Sequence, residues 1–425
     1  MTLLADEVVV ATPVPFWTRT RLAGAGYAGL GLLAAVLLGA LTPGDVTNRF
    51  VISETTQGPG WEIGGRFGAI LFAAVAVAAG AALLVGVAGR LRTWAHTVAV
   101  VGLLMSFLNW QMALARTSHA MPVEDIADGT LRFALPLIFG ALAGVLCERA
   151  GVINVAIEGQ FIMGAFSAAL FATVAASVWV GLIAAGIAGA LVGALLAVLA
   201  IRYLMNQVVL GVMLVALGIG LTGFLYERTM QIDSTATNEP GTLPVWTVPY
   251  LSDLPVVGPM LFKANILVYL ALVLVLLVHI GLFHTRWGLR VRAVGEHPTA
   301  ADTLGVRVRL VRYRNVILAG MVAGIGGAFF ILDSGNQFGK EISAGKGFIA
   351  LAALIVGRWN PLGALLAALF FGFAEKLQLF LSGIGSPIPS QFLSMTPYLA
   401  TIVAVAGLVG RVRAPAADGL PYVKG

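Results

Sequence analysis

Long apolar runs separated by short polar connections fill almost the whole chain, and this alternation leaves few folds open. About 20 apolar residues wound as an α-helix satisfy their own backbone while crossing a hydrocarbon layer about 30 Å thick, which an open sheet cannot do. Candidate spans fall at 22–41, 67–89, 94–115, 131–147, 159–178, 179–201, 207–226, 265–284, 315–332, 347–357, 361–382 and 396–410. The run 347–357 is the weakest and reads as a half-helix or re-entrant piece as readily as a crossing. Only 11% of the 425 residues are charged, against about 25% in soluble domains. The expected fold is all-α, a polytopic transmembrane helical bundle of about 10–12 spans.

The net charge of +6 does not point to nucleic acid, because in a chain of apolar runs it reflects arginines that hold connections inside the cell. Cys147 is the only cysteine, which excludes an internal disulfide and a multi-cysteine metal site. His96, His119, His279, His284 and His297 are scattered. Two glycine patterns imitate nucleotide motifs. Gly24, Gly26 and Gly29 spell GxGxxG inside an apolar span with no preceding strand, and neither Gly339-Lys340 nor Gly345-Lys346 has the glycine spacing of a P-loop. The spacings Gly140/Gly144, Gly189/Gly193 and Gly320/Gly324 fit close helix packing. No paired carboxylates, histidine cluster or Ser/His/Asp set suggests a membrane enzyme.

With all twelve runs crossing, the alternate connections that include both termini carry 17 Lys and Arg, while 12 of the Asp and Glu fall on the opposite side. The basic side belongs in the cytoplasm, so residues 1–21 read as a cytoplasmic N-terminal tail without a cleavable signal. Residues 411–425 read as a cytoplasmic C-terminal tail, with Arg411 and Arg413 closing the last span. The most basic connection, 285–314, has seven arginines against Glu296 and Asp302. Within it Pro298 can open a short helix and Gly305 can stop it. Such a helix is something another protein can grip, and the same residues also serve as a solvated loop that only sets topology.

Two apolar stretches are interrupted by polar residues. GVINVAIEGQFIMGAF at 151–166 places Asn154, Glu158 and Gln160 at membrane depth, where Glu158 needs a cavity, a partner or the membrane boundary. A polar turn joining two spans at the surface is the other reading. Farther on, Asn336, Gln337 and a lysine-glycine run precede Phe348-Ile349, which aligns with Phe161-Ile162. Paired glycine-interrupted segments in two related halves point to a transporter's solute path. Asn154, Gln160 and Gln337 would supply hydrogen bonds, while Phe161 and Phe348 would offer faces for stacking on a flat solute or else pack against neighbouring helices. Asn109, Gln111, Glu375 and Lys376 carry less weight, and the last two, being adjacent, point to different helix faces.

Three separated motifs occur together: 151–166, GLRVRAVGEHPTAADTLGV at 288–306, and GKGFIALAALIVGRWNPLGALLAALFFGF at 345–373. In that order they resemble the permease subunits of bacterial ABC importers of the branched-chain amino acid, ribose and nucleoside group, closest to the nucleoside or simple-sugar branch. The resemblance covers about residues 131–410 and implies a permease core there, preceded by an extension of about three spans over 22–130. It implies that Arg290, Gly295, Glu296, Pro298, Ala301 and Gly305 couple to a cytoplasmic ATPase. It also implies a second permease, a paralogue or another copy, and an extracytoplasmic substrate-binding lipoprotein, in a bacterial cell membrane. The chain itself would hold no cofactor; ATP and magnesium would sit on the partner ATPase. Simple sugars, branched-chain amino acids and an ion-coupled carrier using Glu158 are the alternatives to nucleoside import.

Overall fold

The computed structural model describes residues 16–53, 60–115, 120–395, 398–399, 402 and 413–424. Among these, ten helices are long and apolar enough to cross a membrane and strands are confined to short pieces, so the chain is an all-α polytopic bundle. The expected span 396–410 and the expected N-terminal tail fall largely outside the described residues, as does Arg411. Several helices start before their apolar runs: those announced at 131 and 315 begin at 123 and 308. Their first turns carry Glu124 and Asp125 in one and Arg309 and Arg312 in the other. Charged turns lengthen a helix beyond the hydrocarbon without registering as hydrophobic.

The Cα packing divides the chain into two units. The first comprises residues 1–122 and 381–389 and holds α1 (Arg19–Leu41), β1 (Thr47–Val51), β2 (Gly60–Gly64), α2 (Gly65–Val85), α3 (Gly89–Ala115) and β3 (Met121–Pro122). The Thr18 hydroxyl caps α1 by accepting from the Arg21 N–H. β1 lies between its partners, antiparallel to β2 and parallel to β3, with Phe50 opposite both Trp61 and Met121. A Cβ added at Gly24 would stand 2.7 Å from the Gly80 carbonyl, so the first glycine of the GxGxxG spelling is a packing position between α1 and α2. Asn109 and Gln111 of α3 are consumed inside this unit. Asn48 Nδ2 donates to the Asn109 carbonyl at 2.8 Å, and the Ser386 hydroxyl donates to Gln111 Oε1 at 2.5 Å.

The second unit comprises residues 123–380 and 390–425. It holds α4 (Val123–Glu148), α5 (Ile157–Val174), α6 (Val178–Ala197), α7 (Gln207–Arg228), α8 (Ser234–Thr237), β4 (Val245–Thr247), β5 (Lys263–Asn265), α9 (Ile266–His284), α10 (Arg286–Glu296), α11 (Pro298–Thr303), α12 (Val308–Leu332), α13 (Lys346–Val356) and the start of α14 (Pro361–Gly383). The core is the packing of α4, α5, α6 and α12. Small residues make it possible. A Cβ at Gly189 would stand 2.2 Å from the Gly320 carbonyl and one at Gly320 would stand 2.3 Å from the Gly189 carbonyl, so the two glycine pairs noticed in the sequence face each other across α6 and α12. Gly140 and Gly144 of α4 instead admit Ala350 and Leu354 of α13. With no hydrophobic drive between helices in lipid, such close backbone approach is what lets dispersion hold them.

At 11 residues, α13 is about 16 Å long at 1.5 Å per residue, half a bilayer's hydrocarbon thickness. The weak run at 347–357 is thus a half-helix. Residues 149–156, between α4 and α5, follow no regular helix.

Candidate functional site

Glu158 in the first turn of α5 directs its carboxylate at the start of α13. Its Oε1 accepts from the Ser343 hydroxyl at 2.6 Å and the Gly345 N–H at 2.8 Å, and its Oε2 accepts from the Gly347 N–H at 2.6 Å. The first N–H groups of a helix have no partner within it and favour negative charge, so Glu158 acts as the cap of α13 from another element. The two interrupted stretches therefore meet in space at Glu158. Asn154 Nδ2 donates to Gln160 Oε1 at 3.1 Å, while Asn154 Oδ1 and Gln160 Nε2, both buried, have no partner. Phe161 is a core ring rather than an open stacking face: it is fully buried against Gly140, Gly326 and Gly327, with the Phe330 ring 5.9 Å away. Phe348 is 48% exposed, and no ring contact joins it to Phe161.

Of the six path candidates, Gln337 alone lines the cavity that stands out in this unit. That cavity, about 670 Å³, is walled by the first turns of α4, the end of α12, the segment 333–346 and the middle of α14. Asp125, Asp128 and Arg132 line it at i, i+3 and i+7 of α4, one face of a helix. Every cation in the wall is matched. Arg132 Nε meets Asp128 at 2.7 Å and its Nη1 meets Asp333 at 3.4 Å; Lys376 meets Asp125 at 2.8 Å; Lys346 pairs with Glu375. Asp333 is held in turn by Asn265 Nδ2 at 2.6 Å. Phe133, Phe329 and Phe330 supply apolar surface, with Lys346 Nζ 5.6 Å from the Phe133 ring centre. Ser334, Asn336 and Gln337 supply hydroxyl and amide groups. A concave site of this size, mostly paired and edged by aromatic rings, suits a small polar solute.

The connection between α9 and α12 folds into two helices. The Thr285 hydroxyl caps α10 on the Gly288 N–H at 3.2 Å, and α10 buries Gly288, Val291, Val294 and Gly295. Gly295 packs closely: a Cβ there would stand 2.3 Å from the Arg149 carbonyl. Pro298 takes the first position of α11, His297 Nδ1 accepts from the Ala300 N–H at 3.3 Å, and Gly305 ends the turn at φ +81. Ala301 faces inward; Arg290, Glu296 and Gly305 face outward, and Pro298 is half-buried. Beside them Leu304 is 84% exposed. Arg290, Arg307, Leu304 and Trp287 line a second depression of about 380 Å³.

The family described as branched-chain amino acid transport system / permease component matches residues 126–410. The guanosine ABC transporter permease protein NupQ of Bacillus subtilis is 40% identical over 313 residues, 71% of this chain and 97% of that protein. The nucleoside ABC transporter permease protein NupC of Lactococcus lactis is 39% identical over 312 residues, 71% of this chain and 98% of that protein. The chain belongs to this permease family. A putative glucose ABC transporter permease protein of Haloferax volcanii is 34% identical over 311 residues, 67% of this chain and 92% of that protein. No solved structure matches.

The match begins three residues after the start of the second unit, so the half-helix, both short helices and every cavity residue except Asp125 lie within the matched residues. Most of the cavity's charges are absent from the candidates that sequence reasoning offered. Glu375 and Lys376 do point apart, to Lys346 and to Asp125. The signal that finds them is the i, i+3, i+7 row of Asp125, Asp128 and Arg132, which marks a polar stripe on an otherwise apolar permease helix.

Proposed function

We propose that this chain is the membrane-spanning permease of an ATP-driven nucleoside importer, with the cavity of the second unit as a station on the solute path. The observation that carries it is that cavity's combination of ring surface at Phe133, Phe329 and Phe330 with amides at Asn336 and Gln337. A base stacks on aromatic faces and presents donors and acceptors at its edge, which that combination suits. The relatives whose names carry guanosine and nucleoside support the same solute.

In this reading α10 and α11 face a cytoplasmic ATPase, with Leu304 as an exposed knob and Arg290 and Gly305 beside it. Both termini are cytoplasmic, the seat of the arginine-rich connection. A second permease and an extracytoplasmic binding lipoprotein complete the importer, and ATP with magnesium stays on the ATPase. The transport cycle is alternating access, in which nucleotide on the ATPase biases the side to which the path opens. Glu158 caps α13 with all three of its bonds, which favours this reading over an ion-coupled carrier with a site at Glu158.

The test is uptake of labelled guanosine by cells with and without the ATPase. Uptake should vanish without it and survive an uncoupler at constant ATP; the reverse pattern would sink the reading. Phe330→Ala and Gln337→Ala should raise the KM for guanosine. The glucose relative makes sugar the second reading, and competition of guanosine uptake by excess glucose would favour it.

A further inference from the structure

Residues 413–424 are not a loose tail. They run across the end of α4, the irregular segment that follows it, α10, α11 and α12, and are tied to each. The Ala417 N–H donates to the Gly295 carbonyl at 2.8 Å, and the Ala416 N–H donates to Glu296 Oε2 at 3.2 Å. Arg312 Nη1 of α12 donates to the Leu420 carbonyl at 2.9 Å. Tyr422 is buried in a small cluster with Val294 of α10, Ala301 of α11 and Val308 of α12. Gly419, at φ +74, lies against Ile153, where a Cβ would stand 2.7 Å from Cδ1. Asp418 lies beside Glu148, the last residue of α4, and Arg312. Glu148 in turn accepts from Trp359 Nε1 at 2.5 Å, in the turn before α14.

The opposite end of α4 carries Asp125, Asp128, Arg132 and Phe133 in the cavity wall. One helix therefore has its first turns in the solute site and its last residue under this segment, with Phe133 and Glu148 about 22 Å apart along the axis at 1.5 Å per residue. The coupling helices touch the rest of the unit through few side chains of their own, and α11 buries only Ala301. Tyr422 and Asp418 supply what α11 and α4 lack: a shared apolar plug, and a buried carboxyl set against Glu148 and Arg312.

We propose that residues 413–424 form a permanent strap that makes α10, α11 and the end of α4 move as one body, with Tyr422 and Asp418 as positioning residues of coupling. The proposal rests on the reading of α10 and α11 as the ATPase-facing pair. In it, a push on α11 reaches the cavity through the strap and α4 without the strap ever letting go.

The test uses the complete importer in proteoliposomes and measures solute taken up per ATP hydrolysed, at equal insertion of every variant. Tyr422→Ala should lower that ratio at least tenfold with basal hydrolysis within twofold of the parent and the KM for solute unchanged. Tyr422→Phe, which keeps the ring, should stay within twofold. In a second arm, Leu420→Cys with Ile153→Cys, next to the Gly419–Ile153 contact, on a Cys147→Ala background is bridged by a short bis-maleimide, and the bridged importer should keep at least half the uptake of the unbridged pair. An unchanged ratio in Tyr422→Ala, or uptake abolished by the bridge and intact without it, would overturn the strap. Each variant is compared with the parent on whatever solute the binding protein delivers, so a wrong solute assignment shows in the parent alone and leaves this comparison standing.

Discussion

The two ends of α4 handle buried charge in opposite ways. At the cavity end three cations each meet a carboxylate, and both faces of Asp333 are occupied by Arg132 and Asn265. At the strap end two carboxyl groups, Glu148 and Asp418, lie beside each other, while Arg312 Nε, Arg312 Nη2 and Asp418 Oδ1 are buried without partners. A matched set is stable in one arrangement and costly to break; an unmatched set is balanced by a proton and answers to pH. The cavity is thus built to hold its shape, whereas the strap end is built where small changes of charge alter how tightly the segment sits.

The largest expected effects come from removing one partner of a buried bonded group, first at the cap of α13 and then in the matched set of the cavity. Glu158→Ala strips α13 of a hydroxyl bond and two N–H bonds to a charged acceptor, each worth about 1.5–3 kcal/mol, so thermal unfolding of the purified permease should fall well below the parent. Glu158→Gln should recover part of the loss with an unchanged KM for solute; a changed KM would return Glu158 to the solute path. Next, Lys346→Met leaves Glu375 unpaired in a half-open cavity, at about 1–3 kcal/mol, and should reduce uptake some ten- to a hundredfold. Adding Glu375→Leu should restore stability but not uptake if the charges serve the solute; recovery of both would make the pair structural only.

Leu304→Ala should be milder and confined to the other end. Its side chain is 84% exposed, so melting should not move, while affinity for the ATPase should drop about tenfold, some 1.4 kcal/mol. A shift in melting without a change in affinity would show Leu304 to be part of the core rather than of the interface.

The bundle was legible because a span needs the same 20 or so apolar residues wherever it occurs. Pro298, Gly305 and the short helix between them were legible for the same reason, since turn chemistry is local. The half-helix announced itself by being too short. The cavity was not legible, since its walls come from residues 125–133, 329–346 and 375–376, and only the fold brings those together. Asn154, Glu158 and Gln160 drew the eye as polar residues in apolar surroundings, yet burial had already assigned them to each other and to α13. Phe161 looked like a stacking face because sequence cannot distinguish a ring on a cavity from the ring one layer behind it, here behind Phe330. The strap escaped notice altogether: Asp418 and Tyr422 sit in a polar, proline-containing stretch with no periodicity, and their partners lie more than a hundred residues away.

The smallest effect is also the one that most directly separates the two ends. Burial pushes the Asp418 carboxyl up from its ordinary 3.8 to about 7, against the lowering pull of Glu148, the Gly419 N–H and Arg312. The groups that face it are Glu148 and Cys147 of α4 and Arg312 of α12. A carboxyl raised in the attached state holds its proton there more tightly than when free. Attachment is therefore strongest below about pH 4, weakens as pH rises toward about 7, and is flat above it. Maleimide labelling of Ala417→Cys on a Cys147→Ala background, divided at each pH by the rate for free cysteine to remove the thiol's own titration, should rise several-fold between pH 5 and pH 8 on the scale of such shifts. Asp418→Asn should flatten the profile. The cavity pairs supply the control: a cysteine at Ser334 should show no such rise. If it rises in parallel with the one at Ala417, the whole unit is loosening and the strap has no titration of its own.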